Sequence, residues 1–141
     1  MRNKLPPIVK QAEGLMRDIE IAVSHFPRRH RYTVGARLSN LIMEVTYNSH
    51  QAWRLPEQST LEALAKSIDR LKLQLQLAQQ IHAFSSFGQF ELLARAAESL
   101  GKQCGGWQKR WTSKRQNEQQ RAAAQRPQIL SSHDASREAN P

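Results

Sequence analysis

The chain has 141 residues, of which 39% are hydrophobic, and a formal net charge of +9. A chain of this length fits one domain with room for a tail, and without any run of about 20 apolar residues it offers no membrane-spanning helix. A single cysteine, Cys104, excludes an internal disulfide and a zinc site built from paired cysteines.

The N-terminal segment and the cysteine content both bear on the compartment. Residues 1–7 are positively charged, but no apolar h-region follows them, so we expect no secretory signal. A lone thiol suits a reducing cytoplasm. Because Cys104 falls on an apolar helical stripe, we expect it in the core and not as a reactive group.

The first predicted element is an amphipathic helix at about 7–25. Pro7 suits its first turn, and Pro27 ends it by disfavouring helical geometry at the preceding residue. The buried stripe consists of Ile8, Ala12, Leu15, Ile19, Ala22 and Phe26.

The second predicted helix starts near Thr33, a candidate N-cap that follows the basic connection 27–31. Pro56 closes it, and Arg54 suits the negative end of its dipole. Its predicted buried face consists of Val34, Leu38, Leu41, Ile42, Val45 and Ala52.

The third and fourth predicted helices carry the longest apolar stripes. Ser59 or Thr60 is the candidate cap of the third helix, whose stripe is Leu61, Leu64, Ile68, Leu71, Leu75, Ala78 and Ile81. The stripe of the fourth is Phe90, Leu93, Ala97, Leu100, Cys104, Trp107 and Trp111. Gly101, Gly105 and Gly106 lie inside this helix, which close packing beside the tryptophans or a local kink would explain.

Residues 113–141 differ in composition, with only Ile129 and Leu130 as large aliphatic side chains. Such a segment buries too little apolar surface to offset the entropy of ordering it. We expect the fourth helix to extend no further than about Ala124, with a stop at Pro127 and disorder beyond. The predicted fold is all-α: an antiparallel up-down-up-down four-helix bundle over 1–112, followed over 113–141 by a helix extension and a disordered basic tail.

The sequence offers poor material for catalysis. The five histidines are scattered over helix ends, one connection and the tail, and none forms the i, i+4 pair of a metal site in a bundle. These are His25, His30, His50, His82 and His133. We therefore predict no enzyme activity, no metal and no cofactor, and we interpret His82 as a partly buried structural residue.

The positive charge belongs mostly to the predicted bundle. Residues 1–112 hold 16 Lys or Arg against 9 Asp or Glu, a net of +7, whereas 113–141 hold 5 against 3, a net of +2. A surface of this charge favours nucleic acid or another polyanion.

Three clusters carry this charge. The first lies between helices one and two and extends into helix two: Arg28, Arg29, His30, Arg31 and Arg37. The second, on helix three, is Lys66, Arg70 and Lys72, and the third, along helix four and beyond, is Lys102, Lys109, Arg110, Lys114, Arg115, Arg121 and Arg126. Each cluster can bind phosphates. The alternative interpretation is a solvated turn for the first cluster, an exposed helix face for the second and a solubilising tail for the third. Trp107 and Trp111 can stack on unpaired bases, but they fit the core stripe better.

Residues 26–38 read FPRRHRYTVGARL, an aromatic-proline-basic-basic start to a helix with a glycine shortly before an amphipathic run. This motif resembles the accessory variability determinant proteins of diversity-generating retroelements. They belong to a broader four-helix-bundle family that includes proteins encoded by intervening sequences of bacterial ribosomal RNA genes. The ribosomal branch has an Asn-Ile-Ala-Glu-Gly stretch where residues 43–48 read MEVTYN, which favours the retroelement branch.

The resemblance implies a barrel-like homopentamer that binds RNA or DNA and docks a reverse transcriptase during mutagenic copying of a template RNA. Four positions carry over as nucleic-acid or polymerase contacts: Arg28, Arg29, Arg31 and Arg37. The other candidate contacts rest on charge alone. They are Lys66, Arg70, Lys72 and the basic residues of helix four. The sequence therefore predicts a cytoplasmic, non-enzymatic, nucleic-acid-binding accessory subunit, and the alternative is an adaptor whose basic face engages an acidic protein.

Overall fold

The computed structural model describes residues 5–139, with side chains described for residues 5–125. Helix α1 is Pro7–Ser24. Helix α2 runs without a break through a helical turn at Arg28–His30, a π-helical segment at Arg31–Gly35 and an α-helix at Ala36–Arg54. Helix α3 is Gln58–Gln80 and helix α4 is Phe87–Ala139. The described residues contain no strand, which confirms the all-α prediction.

The chain divides into two compact units, Met1–Gln108 and Lys109–Pro141. The sequence placed this boundary after residue 112. Helix α4 continues beyond Pro127, where the sequence predicted a stop, and Gln, Arg and Ala around residues 119–126 are all strong helix formers that support such a continuation. In the second unit the side chains of 112–125 are exposed, so this helix has no packed face there. Disorder of the tail in solution stays a prediction.

The first unit is a helical bundle in which each helix contacts the next. Thr46 of α2 donates to the carbonyl of Ala12 in α1 (3.5 Å), and Asn48 of α2 donates to that of Ala63 in α3 (3.4 Å). Helix α4 contacts both α3 and α1. Cys104 Sγ lies 3.8 Å from the carbonyl oxygen of Leu61 in α3, and Ser99 Oγ donates to the side chain of Gln11 in α1 at 3.4 Å.

The predicted apolar stripes form the core of this unit. From α1, α2 and α3 the buried members include Ile19, Leu38, Ile42, Leu64 and Leu71, and from α4 Leu93, Ala97, Leu100 and Cys104. Trp107 and Trp111 are only half-buried. Phe26 and Phe84 pack edge to face at one end of the bundle with ring centroids 5.1 Å apart.

The start of α2 differs from the sequence prediction. The helix begins directly after Pro27, because the amides of His30 and Arg31 both donate to the carbonyl of Pro27 (2.8 and 3.0 Å), so Thr33 is not its N-cap. The connection 27–31 is thus helical. Gly35 is buried at the end of the π-helical segment, where a Cβ would lie 2.7 Å from Val23 Cγ1 of α1.

The end of α3 also differs. Ile81, predicted in the core, is 41% exposed, and His82 is exposed and not partly buried. The amides of His82 and Ala83 donate to the carbonyls of Gln79 and Ala78 (2.9 and 3.0 Å), which is a Schellman motif with His82 in the left-handed region at φ 57°. The chain reverses after this cap, and Ala83 and Phe84 directly beyond it are buried.

Two glycine substitutions should have opposite effects on stability. Gly35→Ala brings its new methyl group too close to Val23 and should lower the free energy of unfolding by about 1–3 kcal/mol. Gly105→Ala meets nothing within 4 Å and should raise it by about 0.5–1 kcal/mol through helix propensity. Urea denaturation of both variants checks this, and a destabilised Gly105→Ala chain would mean that this glycine meets a neighbour outside the described contacts.

A substitution at the α3 C-terminus tests the left-handed cap. His82→Gly should raise the free energy of unfolding by about 1 kcal/mol, because glycine adopts positive φ without the steric cost of a Cβ. His82→Ala is the control, since it removes the imidazole and keeps the Cβ. Equal denaturation midpoints for the two variants would contradict this account.

Candidate nucleic-acid interface

Arg28 and Arg29 lie in the first turn of α2, directly after Pro27, and both are exposed. Arg29 Nε donates to Nε2 of His30 at 3.2 Å. Because Pro27 fixes the chain direction and the turn is helical, the two guanidinium groups project from a short rigid element. Such forked donors match phosphate oxygens.

Arg31 is placed differently from its neighbours. Its side chain is half-buried, Nη2 donates to the carbonyl of Phe26 at 3.2 Å, and Nε is buried without a hydrogen-bond partner among the described residues. This guanidinium joins the end of α1 to the start of α2. Arg31 therefore has a structural task that the charge pattern alone did not indicate.

A groove runs between α2 and α3 and encloses about 900 Å³. We call it the α2–α3 groove. Arg37 and Arg70 supply its positive charge, and Arg70 Nη1 lies 3.4 Å from Glu44 Oε1, an exposed ion pair of modest strength. Its lining consists of Tyr32, Thr33, Val34, Ala36, Arg37, Asn40, Leu41, Glu44, Arg70, Leu73 and Gln74.

Lys66 lines a second hollow that shares Glu44 and Arg70 with this groove. Arg37, Arg70 and Lys66 therefore follow one surface between α2 and α3, although they come from two clusters in the sequence. Lys72 does not join them. Its side chain is half-buried, and its Nζ would be 3.5 Å from a Cβ on Gly101, which places it toward α4.

The basic residues of α4 from Lys109 onward belong to the second unit and form their own surface, whereas Lys102 lies in the first unit. Lys109, Arg110, Lys114 and Arg115 are all exposed. Arg110, Lys114 and Arg121 recur at helical spacing, with Asn117 between the last two, on one side of the helix. Glu118 is the one carboxylate that lines the same hollow. This arrangement presents a stripe of cations typical of phosphate-binding arms.

Several titratable groups lie outside these surfaces. His50 Nε2 is 2.8 Å from Glu13 Oε2, a contact between α2 and α1 with both side chains about one-third exposed. No group of three or more potential metal ligands occurs within the part of the chain that the structure describes. Cys104 is buried, as predicted, and its burial, with a smaller contribution from the charge of Asp69, raises the pKa of the thiol to about 11.

The sequence did not single out Tyr32 or Glu44 as parts of a site. Both are ordinary surface residues by spacing, and only the juxtaposition of α2 and α3 brings them into one groove with Arg70. One feature of the sequence does point to Tyr32 as a binding residue: it is an aromatic residue that directly follows the basic run 28–31.

The fold and this surface define an all-helical bundle with a basic face. Comparison of the chain with protein-family models, with curated proteins and with solved structures gives no match. No helix in the described part of the chain has the length and apolarity to cross a membrane.

The buried thiol gives a pH-dependent prediction. The unfolded thiol ionises near its ordinary pKa of 9.0, whereas the native one keeps its proton until about pH 11. The unfolded state therefore binds fewer protons in this window, so the free energy of unfolding should fall as pH rises from 9 to 11. Denaturation at several pH values should show a steeper fall for the wild type than for Cys104→Ala, and equal slopes would contradict the shift. At pH 8 a thiol reagent should label Cys104 only after unfolding.

Proposed function

We propose that this chain is a non-enzymatic nucleic-acid-binding protein that holds the backbone of RNA or DNA on a basic surface. The observation that carries the proposal is a set of exposed guanidinium groups without acidic partners. Among the described residues, Arg28, Arg29 and Arg37 have no carboxylate within salt-bridge distance. Cations left unpaired in this way are available to phosphates, and their binding releases counterions.

The basic residues of the second unit support the same proposal. Lys109, Arg110, Lys114 and Arg115 form an exposed cationic stretch, and all the described side chains of residues 112–125 are exposed. Such an arm contacts phosphates without reading base sequence. Lys66 and Arg70 add charge to the bundle surface, whereas Arg31 and Lys72 contribute mainly by their packing.

The partner we propose is a reverse transcriptase of a diversity-generating retroelement, with the chain as its accessory subunit. The support is the resemblance carried by residues 26–38, together with the all-helical bundle. In this proposal the bundle has up-down-up-down order and assembles as a homopentamer. Exposed apolar side chains on α2, among them Met43, Tyr47 and Trp53, are candidate contacts between copies.

Nucleic-acid binding is tested by fluorescence anisotropy with short RNA and DNA at several salt concentrations. The variant Arg28→Glu/Arg29→Glu/Arg37→Glu should bind at least about tenfold more weakly at low salt, with a salt slope smaller by roughly two to three. Arg31 is left intact because its loss would disturb the α1–α2 junction.

The matched control is Lys10→Glu/Arg17→Glu/Arg95→Glu. It makes the same change in net charge at exposed positions of α1 and α4, and light scattering verifies that both variants keep the oligomeric mass. Equal losses for the two variants would mean that net charge alone drives binding. If the wild type binds neither RNA nor DNA at low salt, the proposal fails and an acidic protein becomes the expected partner.

A further inference from the structure

The α2–α3 groove has an exposed aromatic ring at its edge. Tyr32 is 71% exposed although it follows the half-buried Arg31 directly. The same lining includes the apolar side chains of Val34, Leu41 and Leu73, the last of them 60% exposed. An exposed aromatic ring beside an apolar floor is costly in water and favours a flat ligand with its own apolar faces.

The same groove holds neutral polar groups suited to the edge of such a ligand. Asn40 and Gln74 both line it, and no hydrogen bond between described residues uses either side-chain amide. A carboxamide offers two donors and an acceptor, the combination with which proteins recognise base edges. The groove thus combines a stacking ring, an apolar floor and free amides.

Arg37 and Arg70 add the positive charge that a nucleotide's phosphate requires. Arg28 and Arg29 lie within one helical turn before Tyr32 on the same helix. Glu44 lowers the positive charge of the groove, because its carboxylate lies 3.4 Å from the guanidinium of Arg70 and partly neutralises that group.

The α1–α2 junction restrains the backbone segment that carries the ring. Arg31 is held by the Phe26 carbonyl, and Gly35 is seated against Val23, so the π-helical segment between them has little freedom to rotate. π-Helical insertions in helices are frequent at functional sites, because one extra residue re-aims the side chains beside it. A backbone segment that is fixed in advance reduces the entropic cost of binding.

We propose that the α2–α3 groove is a subsite for an unpaired nucleotide, with its base stacked on Tyr32 and its phosphates on Arg37 and Arg70. This inference rests on the proposed nucleic-acid binding and adds a preference for single strands. In a duplex the faces of the bases are covered by their neighbours, so only an unpaired base can reach the ring. An acidic peptide would also satisfy the arginines, but its carboxylate side chains offer no flat ring to stack on Tyr32.

The experiment compares a short fluorescein-labelled oligouridylate with a labelled RNA duplex of similar length, using the full chain. Tyr32→Ala should weaken binding of the oligouridylate by about fivefold to a hundredfold, the range typical of losing one base–aromatic stack, and should change duplex binding less than about twofold. Tyr32→Phe should bind as the wild type does, because stacking needs the ring and not the hydroxyl.

Phe87→Ala is the matched control, because Phe87 is an aromatic residue of α4 that is 61% exposed and does not line the groove. It should bind both ligands as the wild type does. Glu44→Gln should tighten binding of the oligouridylate, since it removes a negative charge beside Arg70.

The outcomes separate this inference from the function on which it rests. If Tyr32→Ala matches Phe87→Ala while the reversal of Arg28, Arg29 and Arg37 still weakens binding at least about tenfold, the subsite is wrong and nucleic-acid binding stands. If the wild type binds neither ligand, both fail. If poly-glutamate displaces the oligouridylate at equal charge concentration and binds Tyr32→Ala as tightly as the wild type, the groove belongs to an acidic protein segment and the inference is overturned.

Discussion

The junction between α1 and α2 depends on one close contact, the approach of the Gly35 backbone to the side chain of Val23. Only a residue without a Cβ permits this distance, because an added methyl group would lie 2.7 Å from Val23 Cγ1. The contact holds the start of α2 against the end of α1, where Phe26 and Phe84 close the core edge to face. The close approach therefore helps to set the position of α2 relative to α1 at this end of the bundle.

The same junction gives adjacent arginines different tasks. Arg28 and Arg29 reach water because they occupy the first turn after Pro27, whereas Arg31 is turned inward and donates to the Phe26 carbonyl. An arginine that satisfies a helix-terminal carbonyl loses much of its freedom to hold a mobile polyanion. Charge density in a sequence therefore overstates the number of cations available for binding, and here the structure separates the available ones from the structural one.

The two proposals use different parts of one surface. Exposed cations such as Arg28, Arg29 and Arg37 account for affinity toward any polyanion, since the attraction to phosphates depends little on the shape of the ligand. Tyr32, Asn40 and Gln74 account for selectivity, since stacking and base-edge hydrogen bonds require an unpaired base. Glu44 lines the groove and lowers its positive charge through the ion pair with Arg70.

The sequence by itself determined the helical class, the extent of α1 and most of the core, because apolar residues at steps of three and four bury one face of a helix whatever its neighbours are. It also identified the exposed arginines of the first cluster. It missed the true start of α2 and the left-handed cap at His82, since both depend on backbone hydrogen bonds that local patterns do not specify. Only the tertiary structure decided that Arg70 joins Arg37, Tyr32 and Glu44 while Lys72 turns toward α4. The angle at which two helices cross and the axial shift between them decide which of their residues become neighbours. Hydrophobic spacing specifies neither quantity, so it does not predict a groove between two helices.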